Sequence, residues 1–149
     1  MYSTPTRELI VLQYNIRGER DTVMTPLLAD RSIADIDVIA IQEPVYDKYR
    51  RSSYNPGTSD FHLAFEGDGD TRVCLYVNKR LDVDNWETTY KSNKLCSVKL
   101  SMDPLRPDRK SDLWIHNVYN PPLLIGPSHW QPPYSRSWKK HWARRANIW

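Results

Sequence analysis

The run Asp37-Val38-Ile39-Ala40-Ile41-Gln42-Glu43-Pro44 constrains this chain more than any other segment. Four consecutive apolar residues leave no polar face at a period of two, so the strand they form needs apolar cover on both sides. Pro44 ends the ladder because it has no N–H to donate. Glu43 is therefore expected at a strand terminus, beside a buried sheet rather than inside it.

Other segments fit around that strand. Glu8-Leu9-Ile10-Val11-Leu12-Gln13-Tyr14-Asn15, stopped by Arg17-Gly18, reads as a second buried strand with Asn15 at its C-terminal end. Between the two, Val23, Leu27, Leu28 and Ile33 fall at near-helical spacing, which predicts a helix from about Thr22 to Ala34. Asp21 or Thr25 caps it, and Pro26 is tolerable only in a first turn. Further strands are predicted over Phe61–Phe65, Arg72–Val77, Trp86–Tyr90, Leu95–Leu100 and Leu113–Tyr119, separated by turn material such as Gly67-Asp68-Gly69-Asp70 and Asn78-Lys79-Arg80. One helix among six or seven strands, with hairpin and crossover connections, indicates an α+β protein built on a mixed sheet.

Composition narrows the class. The 149 residues are one domain's worth of chain, and 40% apolar residues suffice for a core, so wholesale disorder is not expected. The longest apolar runs fall far short of the roughly 18 residues that cross a bilayer, and the N-terminus lacks a charged-then-apolar signal pattern. The expectation is an intracellular, non-secreted protein without a membrane span. Cys74 and Cys96 have neither zinc-site spacing nor the numbers of a disulfide framework, so both are expected as buried free thiols.

Charge divides the chain near Pro121-Pro122. Residues 123–149 carry five basic residues and no acid, and they hold four of the six tryptophans. We therefore separate a body, 1–122, from a basic Trp/Pro-rich tail, 123–149. In the tail Arg136, Lys139, Lys140, Arg144 and Arg145 surround Trp138, Trp142 and Trp149, which share one stripe if the segment is helical. Cations interleaved with aromatics suit nucleic acid or an anionic membrane surface, whereas a stripe that merely covers an open sheet face is the plainer reading.

Polar residues with chemical potential lie where buried strands stop: Asn15, Glu43, and the group Asn117, Tyr119 and Asn120. A carboxylate beside neutral amides suits Mg²⁺, which prefers oxygen ligands and is commonly held by one or two carboxylates plus substrate phosphate. Each residue also has a structural reading, since Asn after a strand forms turns and a Tyr fills cores while its hydroxyl finds a partner. The segment Val45-Tyr46-Asp47-Lys48-Tyr49-Arg50-Arg51 fits either a substrate-facing rim or a solvated loop.

Four segments in order carry a family likeness: Leu9–Arg17 (LIVLQYNIR), Asp37–Pro44 (DVIAIQEP), Arg72–Lys79 (RVCLYVNK) and Ile115–Pro122 (IHNVYNPP). Over roughly residues 7–122 the chain resembles the endonuclease/exonuclease/phosphatase superfamily, and within it the endonuclease domain of fungal non-LTR (LINE-type) retrotransposons. The resemblance implies the N-terminal part of a two-sheet sandwich flanked by helices, and Mg²⁺-assisted hydrolysis of a DNA phosphodiester. It implies that Glu43 is the metal ligand, that Asn15 organises the metal and phosphate site, and that the Tyr119 hydroxyl contacts the scissile phosphate. Asn117 and Asn120 are placed against substrate only by proximity. The resemblance further implies DNA as partner, a reverse transcriptase domain encoded downstream, and a nuclear location.

The chain departs from that pattern after Tyr119. The family continues to a Gly-Asp-x-Asn strand that positions the attacking water and to a Ser-Asp-His segment, and neither follows here. The expectation is a truncated domain, inactive alone, with one sheet face uncovered and a tendency to aggregate. Two alternatives stand beside it: another phosphoesterase of the superfamily, such as an abasic-site nuclease or phosphoinositide phosphatase, and a non-catalytic nucleic-acid-binding fragment.

Overall fold

The computed structural model describes residues 8–101 and 112–122. The tail, including Arg136, Lys139, Lys140, Arg144 and Arg145, lies outside the described residues. The fold is α+β, with a mixed sheet and few helical residues. Strands β1 (Val11–Asn15), β2 (Val38–Gln42), β5 (Phe61–Ala64) and β6 (Val73–Asn78) form a sheet in the order β1-β2-β6-β5. Strand β1 runs parallel to β2, while β6 is antiparallel to both β2 and β5. Strands β7 (Trp86–Ser92), β8 (Leu95–Ser101) and β9 (Asp112–Val118) make an antiparallel three-stranded sheet. A short hairpin, β3 (Tyr46–Asp47) with β4 (Ser52–Ser53), has no counterpart among the strands expected from sequence.

Period-two alternation explains how the central strands are covered. Val38 and Ala40 of β2, with Val73, Leu75 and Val77 of β6, face Cys96, Val98 and Leu100 of β8. Ile39, Ile41, Cys74 and Tyr76 point the other way, into a second cluster with Met24, Leu28, Ile33 and Ile36. The two-sided cover that Val38–Ile41 demands is therefore supplied by β7–β9 on one side and by the β1–β2 connection on the other. The uncovered face expected of the central sheet is absent among the described residues.

That connection is not the single helix predicted over Thr22–Ala34. A π-helical turn (Arg20–Met24) leads into helix α1 (Thr25–Ala29), and a 3-10 turn (Arg31–Ile33) follows. Pro26 occupies the first turn of α1 and has no N–H for the preceding turn, which instead closes widely, with the Met24 N–H donating to the Glu19 carbonyl at 3.1 Å. Asp30 then stops the helix, its carboxylate accepting from the Ser32 N–H at 2.9 Å. Of the predicted apolar positions Leu28 and Ile33 are buried and Val23 and Leu27 pack partly buried against the same cluster, with Met24 buried beside them, but on three short pieces.

Among the described residues no helix is long and apolar enough to cross a membrane. Cys74 and Cys96 are both buried and free, as their surroundings in sequence indicated.

Candidate active site

Four strand termini meet at one rim. Asn15 pairs with Gln42 at the C-terminal ends of β1 and β2. Because β6 is antiparallel to β2, its start, just after Arg72, lies at the same end, where Gln42 pairs with Val73. Strand β9 reaches the rim through its last residue, as the Gln42 amide donates to the Val118 carbonyl at 2.6 Å.

Glu43 sits at the centre of this rim and is half-buried. Its N–H donates to the Arg72 carbonyl at 2.8 Å, and its own carbonyl accepts from the Gly18 N–H at 2.8 Å. Those bonds hold it at φ 51°, in the left-handed region. A non-glycine residue there costs on the order of 1–3 kcal/mol and persists only when its surroundings over-determine it. Arg17 at φ 51° and Arg51 at φ 50° are the other non-glycine residues in that region, so the described strain is confined to the rim turn and the adjoining hairpin.

Tyr119 is brought to Glu43 from the second sheet. Its N–H is fixed on the Lys94 carbonyl at 2.9 Å, and the Glu43 carboxylate lies near its hydroxyl as a potential acceptor. Hydrogen bonding toward that carboxylate, with burial and the carboxylate's charge, pushes the Tyr119 hydroxyl above its ordinary pKa, and the nearby Arg72 cation opposes the rise. Among the described residues no cation lies within salt-bridge distance of Glu43. The carboxylate faces a neutral donor and keeps acceptor capacity for another ligand.

The remaining sequence candidates fall into different places. Asn15 is exposed at the rim, and its Oδ1 accepts from the Arg17 N–H at 3.0 Å, forming the turn that delivers Gly18 to Glu43. Asn117 is not a surface neighbour of substrate: it is 2% exposed. Its Nδ2 donates to the Ile41 carbonyl at 2.8 Å and the Cys74 carbonyl at 2.9 Å, pinning β9 across β2 and β6 two residues before Tyr119. Asn120 is exposed beyond the strand.

Arg72 and Gln42 do not stand out from sequence as site residues. The signal for Arg72 is its place just before β6, which becomes informative only once that strand is known to run antiparallel to β2.

A divalent cation fits this donor set in a limited way. No group of three or more His, Cys, Asp or Glu side chains is assembled among the described residues, so a site that needs several protein carboxylates is not built there. Mg²⁺ needs fewer, because water and substrate phosphate complete its octahedron. Glu43 is the carboxylate at this rim able to serve. Compared with family models, with curated proteins and with solved structures, the chain has no match.

Proposed function

We propose that Glu43, Tyr119 and Arg72 form the metal- and phosphate-facing half of a Mg²⁺-dependent phosphodiester hydrolase, a DNA endonuclease site of the endonuclease/exonuclease/phosphatase type found in retrotransposons. The observation that carries this reading is the convergence at one rim of Glu43, just past the buried strand β2, with Arg72 before β6 and with Tyr119, just past β9 of the second sheet. When bound, Mg²⁺ supplies Lewis-acid stabilisation of charge on the phosphate. Glu43 would hold the ion. Tyr119 turns its O–H toward a non-bridging phosphate oxygen, and the Arg72 guanidinium attracts the same anion. Gln42 and Asn117 keep β9 docked, which sets the reach of Tyr119.

The chain's own rate is expected to be low. No acidic residue follows Asp112, so the groups that would orient the attacking water are not in this sequence, and each positioned acid or base typically supplies about 10²–10⁴-fold. The test is therefore Mg²⁺ binding first and turnover second. In calorimetric titration of the full chain, one Mg²⁺ site is expected, weakened at least about tenfold by Glu43→Gln, the usual minimum for loss of a site-tuning group. Equal binding by both proteins, or none by the wild type, overturns the reading. Nicking of supercoiled plasmid with Mg²⁺ and with EDTA then measures how much chemistry the half-site retains.

A further inference from the structure

The β3–β4 hairpin begins three residues after Glu43, and its loop consists of Lys48, Tyr49, Arg50 and Arg51, with no neutral polar or small residue among them. Tyr49 is 88% exposed, far more than the other large apolar side chains at the described surface, which range from 40% to 56%. An aromatic ring left in water on a shapeless tip would have little consequence, but this tip is shaped. The Asp47 carboxylate accepts from the N–H of Tyr49 at 2.9 Å and of Arg50 at 3.2 Å, and Arg51 closes the turn in the left-handed region. The Lys48 Nζ lies 5.2 Å from the centroid of the Tyr49 ring.

The base of the hairpin is equally fixed. The Tyr46 ring stacks on Phe65 with centroids 6.1 Å apart, and Gly69 lies beside the same ring, where a Cβ would be in ordinary contact at 3.4 Å. Asp68 and Asp70 flank Gly69, so acid borders the base while the cations are concentrated at the tip. Arg20 sits over the ring of Tyr54 at 4.7 Å. The result is a ring projected outward among cations, on a support anchored at both ends.

We propose that this tip is a contact site for single-stranded nucleic acid, in which one unpaired base stacks on Tyr49 and the flanking phosphates lie against Lys48, Arg50 and Arg51. Stacking on an exposed aromatic with cations alongside is the chemistry by which proteins hold unpaired bases without reading their sequence. A duplex groove offers that ring no free base face. An acidic peptide would use the cations and leave the ring idle, which is why the ring decides the occupant. The site does not depend on the metal reading, since it needs neither Mg²⁺ nor Glu43.

The experiment uses the full chain in EDTA with a single-stranded oligonucleotide carrying 2-aminopurine, whose fluorescence falls on stacking, and with the matching duplex. Binding with quenching is expected for the single strand, with Tyr49→Phe close to wild type and Tyr49→Ala weakened roughly 5- to 150-fold, the range that one stacked base supplies. The duplex affinity changes little in either variant. Replacing Lys48, Arg50 and Arg51 by Gln lowers the slope of log affinity against log salt by about 0.7 for each phosphate that is no longer neutralised. Because Tyr49 packs on nothing but its own loop, Tyr49→Ala folds as the wild type does, which circular dichroism checks. Tyr49→Ala that binds and quenches like the wild type overturns the proposal. So does a variant that loses affinity only for anionic vesicles. Because the titration is run in EDTA it reads the tip without the metal site, so a failure of the metal reading leaves this result standing, and a failure here leaves the Mg²⁺ titration standing.

Discussion

Strand β2 carries a carboxylate just beyond each end, and the two could hardly be treated more differently. Asp37 is fully buried. Its Oδ2 accepts from the Ile10 N–H at 2.9 Å, and its Oδ1 accepts from Arg80 Nη2 at 3.0 Å and Nε at 3.3 Å. Asn78 completes that end, donating from Nδ2 to the carbonyls of Ala34 and Ile36 and accepting from the Arg80 N–H at Oδ1. Glu43 is half-buried, strained in φ, and faced by a neutral hydroxyl with no described cation within salt-bridge distance. One end uses its polar groups to close the β1–β2 connection onto the sheet. The other leaves a carboxylate with open acceptor capacity, at a backbone conformation that stability alone does not favour. The contrast separates a carboxylate that builds from one left open, which we propose binds.

The sharpest way to break the comparison is to remove the building carboxylate. Asp37→Ala leaves the Ile10 N–H without an acceptor and takes the buried partner from Arg80, which keeps Asp35 and partial solvent, so urea unfolding should show a loss of about 3 kcal/mol. A loss below about 1 kcal/mol, the size typical of an exposed pair, would mean that the buried end is not the structural anchor. Asn78→Ala should follow at roughly 1–2 kcal/mol, because the buried Ile36 carbonyl and the partly buried Ala34 carbonyl lose their donor.

Both ends are visible in the sequence to different degrees. Asp37 and Glu43 bracket the apolar run that identifies β2, and Glu43 stands out as a candidate because a polar residue at the end of a doubly buried strand sits beside the sheet, not in it. The same argument places Tyr119 at a strand end, but its pairing with Glu43 depends on how two sheets stack, which no local period encodes. Arg72 and Asn78 bound the same strand β6 and read as strand and turn residues; which end of β2 each meets follows from strand direction alone. The helix over Thr22–Ala34 fails for a local reason: burial periodicity survives in Leu28 and Ile33, whereas Pro26 and Asp30 break the hydrogen-bond ladder that periodicity takes for granted. Asn117 differs from its expected place beside substrate because a polar residue in a strand reads outward unless its partners are known, and these, the carbonyls of Ile41 and Cys74, are distant in sequence.

The binding carboxylate should respond in the opposite sense. Glu43→Gly relieves the left-handed strain at φ 51° and is expected to leave stability unchanged or raise it by up to about 1 kcal/mol, while abolishing the proposed Mg²⁺ site. A destabilisation like that of Asp37→Ala would erase the distinction between the two ends.

The smallest effect comes from the middle of the same sheet, and it sharpens the comparison by supplying a neutral reference. Cys74 pairs with Ile41 in the stretch of sheet between the two carboxylates, and Cys96 of β8 packs on the sheet's opposite face. Burial raises both thiols, Cys74 well above the ordinary value of 9.0 and Cys96 to about 12. In the unfolded chain the thiols ionise near 9.0, and in the folded protein they do not, so above that pH the unfolded state holds fewer protons than the native one. Stability from this source is fully present below pH 9.0 and declines as pH rises toward about 12. Burial also raises Tyr76 and Tyr90, which titrate from 10.0 upward and steepen the decline. Replacing both cysteines by Ala should delay its onset by roughly one pH unit, to where the tyrosines begin. Measured by thermal unfolding across alkaline pH, that delay should be the same in the Glu43→Gly background, because the two carboxylate ends act on the sheet independently of its centre. A delay that vanishes with Glu43→Gly would show instead that opening the rim already admits water to the central strands, and that the binding end is part of what keeps the core closed.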